Sequence, residues 1–198
     1  GGTLGAGHET YIRDQLAQDN SIWSVCAWHK NQRLMQVGGK TDETGWGVYE
    51  ECRLGGGIVA TAHEHSYSRT HLLSNFETQE IASTSSSLRL EKGKSFAFVS
   101  GLGGQSIRPQ LLDGNWWASI YTSTQNADYG ALFCTFNVDG QPEKASCYFK
   151  DRQGRVPDQF ELISGVETTG NYPPVANAGG NKAVSDSDGN GAETVTLD

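Results

Sequence analysis

The stretch IVATAHEH, residues 58–65, is an apolar run that ends in two histidines, His63 and His65. A second run of the same kind, SIWSVCAWH at residues 21–29, predicts another buried strand and ends at His29. Between them, residues 42–52 carry helix signals, with Asp42 or Thr44 as the candidate N-cap, and the Gly-Gly-Gly run that follows would end the helix. This strand–helix–strand order predicts two parallel strands joined by a crossover helix. Because parallel strands end at the same edge of a sheet, the three histidines are expected to meet there.

Histidines in this arrangement suit metal binding. On an extended segment, the His-x-His pattern of His63 and His65 points both imidazoles to the same side. Neutral imidazole binds divalent metal ions near pH 7, so His29, His63 and His65 are candidate metal ligands. The alternative is that they are polar residues at strand ends, hydrogen-bonded to loops. The spacing alone leaves both open.

The rest of the chain changes character twice. Residues 8–19 place apolar side chains four apart on one face, which predicts a helix, and the first 65 residues then follow an α, β, α, β order. Residues 66–90 are rich in serine and threonine, which predicts a long loop. Beyond residue 93, antiparallel strands are expected. Their segments are SFAFVSG, WWASIYTS, YGALFCTFN, KASCYFK and DQFELI. The predicted fold class is α/β.

Composition excludes some classes of function. The 198 residues include 15 Lys and Arg against 23 Asp and Glu, a net charge of −8. Such a chain lacks the basic face that binds a nucleic-acid backbone. No apolar run approaches the roughly 18 residues of a transmembrane helix, so no membrane span is expected. Because the sequence starts without methionine and stops within a polar pattern, we expect it to be part of a longer protein.

The four cysteines allow three pairings. A hairpin centred on residues 139–142 would give each apolar residue of one face an apolar partner. The facing pairs would be Leu132 with Phe149, Cys134 with Cys147, and Phe136 with Ala145. This register predicts a disulfide between Cys134 and Cys147. Cys26 and Cys52, on a strand and the next helix, are the second candidate pair. The alternative is four reduced cysteines that pack as small hydrophobic residues.

Segments around the histidines resemble the C-terminal half of calcineurin-like metallophosphoesterases, the superfamily that includes purple acid phosphatases. They are WHKNQ at residues 28–32, DETGW at 42–46 and AHEHSYSRT at 62–70. In that family a lone histidine after a strand and a later GHxH motif bind metal. His29 matches the first, and His63 and His65 match the second, with Ala62 in place of glycine. The resemblance covers about residues 8–165. The family's DxH, GDxxD and GNH motifs do not occur in this sequence.

The resemblance implies that residues 1–170 form the C-terminal half of a metallophosphoesterase α/β sandwich. It also implies two divalent or trivalent metal ions, which would be Zn, Fe or Mn. By the same resemblance, His29 and His63 would bind one ion and His65 the other. The carboxylates and the asparagine that complete such a site are missing from the sequence.

The implied substrate is a phosphate ester. His65 and Arg69 would then be catalytic residues, and Tyr67 and Arg69 would contact the substrate from an active-site loop. The fork of the Arg69 guanidinium suits a phosphate oxygen. An equally favoured role for Arg69 is a salt bridge that pins this loop.

The tail PPVANAGGNKAVSDSDGNGAETVTLD resembles the first strands of a PKD-type Ig-like domain. Residues 171–198 would then be a linker and a truncated β domain; the alternative is a disordered polar linker. Such domains accompany secreted bacterial enzymes, so the resemblance implies an extracellular, bacterial protein, in agreement with disulfide formation.

Three functions remain in competition. The first is metal-dependent hydrolysis of phosphate esters by a secreted two-metal phosphoesterase, of which this chain is an incomplete and by itself inactive part. The second is a non-catalytic extracellular binding or adhesion protein on a degenerate phosphoesterase fold. The third is a lone zinc-binding, β-rich module.

Overall fold

The structure, a computed structural model, describes residues 7–166. The helices in this range are α1 (His8–Gln18) and α2 (Gly47–Leu54). The strands are β1 (Val25–Ala27), β2 (Ile58–Thr61), β3 (Tyr67–Thr70), β4 (Leu72–Asn75), β5 (Glu80–Ser83), β6 (Ser87–Leu90), β7 (Ala97–Ser100), β8 (Trp117–Tyr121), β9 (Gly130–Val138), β10 (Gln141–Asp151) and β11 (Asp158–Ser164). The predicted boundary near residue 171 and the Ig-like tail over 171–198 lie outside the described range.

The first sheet has the strand order β1-β2-β7-β3-β8. β1 pairs with β2, and β2 with β7, in parallel, whereas β3 runs antiparallel to β7 and β8. Helix α2 lies between β1 and β2 in the chain, so the predicted strand–helix–strand unit is confirmed. This arrangement brings the ends of β1 and β2 to one edge of the sheet.

The second sheet has the order β6-β11-β10-β9, and β4 pairs with β5 in a small third sheet. Apolar side chains from both large sheets fill the layer between them. They are Ile58 and Phe96 from the first sheet side, and Leu88, Leu90, Ala145, Cys147, Phe160 and Leu162 from the second. Because side chains alternate along a strand, Val59 and Ala97 point the other way, into a cluster with Tyr49 and Cys52 of α2. The described residues therefore form a mixed α/β fold with a helix, a sheet and a second sheet in layers.

The prediction of a long loop over residues 66–90 is wrong. Four strands, β3 to β6, occupy most of this segment, and β3 is an inner strand of the first sheet. Serine and threonine alone do not prevent strand formation when neighbouring strands satisfy their backbone groups. The four residues of β3 are buried although three of them are polar or charged.

Two boundaries also differ from expectation. The strand predicted as buried over residues 21–29 is limited to β1, an outer strand of the first sheet, and Val25 is 55% exposed. Helix α2 begins at Gly47, so neither Asp42 nor Thr44 caps it. Instead, Oδ1 of Asp42 accepts hydrogen bonds from the backbone N–H groups of Thr44 and Gly45 and forms the preceding turn. Among the described helices, none has the length and apolar character to cross a membrane.

Both predicted disulfides are present. Cys134 lies directly opposite Cys147 on the β9–β10 hairpin, and the two flanking pairs have the predicted register. The Cα atoms of this pair are 4.1 Å apart, slightly closer than the 4.4–6.8 Å that is usual for disulfides. Cys26 of β1 is bonded to Cys52 of α2, with a Cα separation of 6.2 Å. The second bond fixes the crossover helix to the strand that leads to His29.

Removal of either disulfide by a pair of Cys→Ala substitutions is expected to lower the free energy of unfolding by about 3 kcal/mol. The bonds close loops of 26 and 13 residues, and each limits the freedom of the unfolded chain. Urea denaturation of the two double variants measures the effect. A denaturation midpoint equal to that of the oxidised wild type would contradict the prediction, and peptide mapping by mass spectrometry checks the pairing.

Candidate functional site

His29 and His63 meet at the edge where β1 and β2 end. Nε2 of His29 lies 3.0 Å from Nδ1 of His63, and the ring centroids are 4.8 Å apart. The backbone N–H groups of Ala62 and His63 both donate to the carbonyl of His29, at 3.2 and 2.9 Å. The two segments thus remain hydrogen-bonded to each other past the strand ends, and the expected meeting of these two imidazoles is confirmed.

His65 has different neighbours. Its Nδ1 lies 2.9 Å from the carbonyl oxygen of Ser106. A carbonyl only accepts hydrogen bonds, so Nδ1 is the donor in this contact, and Nε2 is the nitrogen of His65 that could bind a metal ion. Among the described residues, no group of three or more His, Cys, Asp or Glu side chains is arranged to hold a metal ion. His65 is therefore not gathered with the other two histidines into one complete set of ligands.

Glu43 is a neighbour of His63 that the sequence did not identify. Its Oε2 lies 3.0 Å from Nε2 of His63, although this buried oxygen lacks the alignment of a hydrogen bond. Its Oε1 accepts from Nζ of Lys30 at 2.6 Å, and this bond lowers the pKa of Glu43. Glu43 belongs to the DETGW segment, but no spacing rule connects that segment to the HxH motif. An ionised Glu43 beside His63 favours a proton on Nε2, which leaves the lone pair on Nδ1, the atom that faces His29.

The charge state of His63 also suits a metal ligand. Burial lowers the pKa of His63, and the positive charge of Lys40 lowers it further against the opposing effect of Glu43. The imidazole is therefore neutral at neutral pH, and neutral imidazole is the form that coordinates metal ions. Glu43 and Lys40 thus set the protonation of His63 from opposite directions.

The histidine pair fits a metal ion in part. Two nitrogens bound to one tetrahedral zinc ion, with bonds of 2.0–2.1 Å, lie about 3.3 Å apart. The observed 3.0 Å is near this value, so a small outward movement of either ring would admit an ion. Two imidazoles do not complete a coordination shell, and the described residues bring no third ligand to them. The pair is therefore part of a site.

Tyr67 and Arg69 do not face the histidines. Both lie on β3, not in a loop, and both contact Asp158 of β11. The hydroxyl of Tyr67 donates to Asp158 at 2.6 Å, and the guanidinium of Arg69 donates to both of its carboxylate oxygens at 2.7 and 2.9 Å. Arg69 also lies over the ring of Phe160. Burial and the Asp158 charge raise the pKa of Tyr67 well above its usual range.

These contacts decide between the two roles expected for Arg69. The side chains of Arg69 and Asp158 are 4% and 6% exposed, and Tyr67 is fully buried, so neither Tyr67 nor Arg69 offers a free polar group to a substrate. The structure therefore shows the pinning salt bridge, and what it pins is an inner strand and not a loop. The expectation of substrate contact by Tyr67 and Arg69 is not supported.

A cavity of about 470 Å³ adjoins the histidine pair. Its walls come from α1, the end of β1 and the start of α2, and are largely apolar, with Tyr11, Trp28 and Val48 among them. His29, Lys30 and Glu43 line the side next to the site. His29 is therefore the member of the pair that this cavity reaches.

Comparison with known proteins gives the fold but no family. No family model and no curated protein matches the sequence. Among solved structures, a purple acid phosphatase isolated from yellow lupin (Lupinus luteus) seeds is similar, with a TM-score of 0.60 and 16% sequence identity over 78% of this chain. The match spans 28% of the phosphatase chain, less than a third of its length. The α/β unit described above thus shares the fold of part of a purple acid phosphatase.

Proposed function

We propose that this chain contributes the histidine half of a metal-dependent phosphoesterase site. The observation that carries the proposal is the contact between Nε2 of His29 and Nδ1 of His63 at the shared end of two parallel strands. The similarity in fold to part of a purple acid phosphatase supports it. His29 and His63 would hold one ion and His65, through Nε2, the other, with Zn, Fe or Mn as the candidates.

In this proposal the metal ions supply Lewis-acid stabilisation of the phosphate group. The protein's own residues prepare the ligands. The carbonyl of Ser106 orients the His65 ring by accepting from Nδ1, as the outer partner of a metal-binding histidine commonly does. Lys30 holds Glu43, and the charge of the Glu43 carboxylate would favour a proton on Nε2 of His63. Further oxygen ligands would come from the family's DxH, GDxxD and GNH motifs, which this sequence does not contain.

The setting of this activity is also a proposal. Two disulfides within the described residues are compatible with an extracellular protein, and the resemblance of the tail favours a secreted bacterial enzyme. The second candidate function is a non-catalytic binding protein on the same fold. The observation in its favour is that the described residues hold no set of three or more ligands.

Zinc titration of the 198-residue chain tests the proposal. We expect Zn²⁺ to bind weakly and to shift the side-chain NMR signals of His29 and His63, because two adjacent imidazoles share one ion better than either holds it alone. A His63→Ala variant should lose this response. A His71→Ala variant is the matched control, because His71 is another partly buried histidine whose pKa burial lowers. Unchanged His29 and His63 signals at millimolar Zn²⁺ would contradict the proposal.

A further inference from the structure

Asn31 is a fully buried side chain that joins three segments of the candidate site. Its Nδ2 donates to Oγ1 of Thr61 at 2.6 Å, and its Oδ1 accepts from the backbone N–H of Glu64 at 3.1 Å. Its own carbonyl accepts from the backbone N–H of Glu43 at 3.1 Å. Both ends of the side-chain amide and the main-chain carbonyl are thus engaged.

Each of these contacts lies next to a site residue. Asn31 follows His29 by two residues, and Thr61 precedes His63 by two. Glu64 is the residue between the two histidines of the HxH motif. Glu43 is the residue whose carboxylate faces Nε2 of His63. The amide of Asn31 therefore links the segment after β1 to the segment after β2.

None of the three histidines of the candidate site lies within a strand, so strand pairing does not fix their positions. Residues 62–66 are outside any strand, and β1 ends two residues before His29. Two backbone hydrogen bonds to the carbonyl of His29 are the direct main-chain links between the segments. Loss of the Asn31 amide would leave a buried N–H of Glu64 without its acceptor, and the HxH segment would have to move to satisfy it.

We infer that Asn31 is a positioning residue that sets the separation between His29 and His63. The inference rests on the proposed function, because that separation matters only if the two imidazoles share a metal ion. Asparagine suits the task since it presents one donor and one acceptor on a short side chain. Aspartate keeps the acceptor for Glu64 and loses the donor to Thr61, whereas alanine loses both.

Gln36 provides a matched control. It is also fully buried, and its side-chain amide also makes three hydrogen bonds. Its partners are Arg33, Gly38 and Lys40, all in the loop that follows Asn31 and none on a histidine-bearing segment. If Asn31 had a purely structural role, its substitution should affect metal binding no more than substitution of Gln36 does.

The probe is Cu²⁺–nitrilotriacetate, a chelate that leaves coordination positions open for imidazole. Pulsed electron paramagnetic resonance of the 198-residue chain then counts the imidazole nitrogens bound to copper, apart from the amine nitrogen of the chelate, and titration gives the affinity. We expect a two-nitrogen signal for the wild type that His29→Ala reduces to one nitrogen. Asn31→Ala should weaken binding by about 10-fold to 100-fold, as loss of outer partners of metal-binding histidines does, and should give a one-nitrogen signal.

The remaining variants distinguish an effect on the positions of His29 and His63 from a general loss of folding stability. Asn31→Asp is expected to keep the two-nitrogen signal with a smaller loss of affinity, and it carries the test if Asn31→Ala does not fold. Gln36→Ala should lower stability and leave both the signal and the affinity unchanged. Wild-type affinity in folded Asn31→Ala or Asn31→Asp, or an equal loss in Gln36→Ala, overturns this inference and leaves the proposed function standing. A one-nitrogen signal from the wild type overturns both.

Discussion

Replacement of Asp158 by alanine is expected to lower the free energy of unfolding by about 3–5 kcal/mol. The variant leaves the guanidinium of Arg69 buried without its carboxylate partner, and an unpaired buried charge carries a cost of this order. It also removes the acceptor of the Tyr67 hydroxyl. Urea denaturation followed by tryptophan fluorescence measures the change.

The Arg13–Asp14 pair supplies the control for this prediction. Its side chains are 56% and 54% exposed, so Asp14→Ala should change stability by less than about 1 kcal/mol. If Asp158→Ala proved as stable as Asp14→Ala, Arg69 would not depend on its ion pair. The role of Arg69 as a phosphate-binding residue would then return to consideration.

The elements that the sequence predicted well are those specified by local patterns. An apolar run, a glycine-terminated helix and a second apolar run predicted β1, α2 and β2, and an apolar alternation around a turn predicted the β9–β10 register. In each case the partner lies close in the chain. Short-range patterns therefore fixed the edge at which His29 and His63 meet.

Strand β3 could not be predicted in the same way. Its sequence YSRT is polar, and its burial depends on β7 and β8 on either side and on Asp158, 89 residues beyond Arg69. A charged residue is tolerated inside the fold only when its partner is present. No pattern within residues 66–90 indicates that Asp158 will pair with Arg69, so the sequence of this segment predicted a loop.

The separation of His65 from the histidine pair has a local cause. The same-side prediction for the HxH motif required an extended backbone. Instead, the N–H of Ser66 donates to the carbonyl of Glu64 at 2.8 Å, and the chain turns over residues 64–66 with His65 at the centre. Side-chain alternation ends at such a turn. The residue types of the motif were informative, whereas the direction of the second imidazole depended on a turn that the sequence did not reveal.

Phosphatase activity is expected to be absent from the 198-residue chain. Hydrolysis by two metal ions requires ligands that hold both ions and oxygen donors that offset their charge. The described residues offer the His29–His63 pair and a separate His65, and no arrangement of three or more ligands. An ion held loosely by two imidazoles does not clamp both the attacking and the leaving oxygen of a phosphate ester. Under the proposed function, the remaining ligands would come from the DxH, GDxxD and GNH motifs, which this sequence does not contain.

Assays with p-nitrophenyl phosphate and a bis-ester analogue, in excess Zn²⁺, Mn²⁺ or Fe²⁺, measure this directly. Turnover by the purified chain that disappears in His63→Ala would show that the described histidines suffice and would overturn the half-site argument. A longer protein that joins this sequence to the three missing motifs should hydrolyse at least one of the two esters, and His29→Ala should abolish that activity because it removes one ligand of the pair. If such a protein bound two metal ions and remained inert, the binding function on a degenerate fold would be favoured over the enzyme.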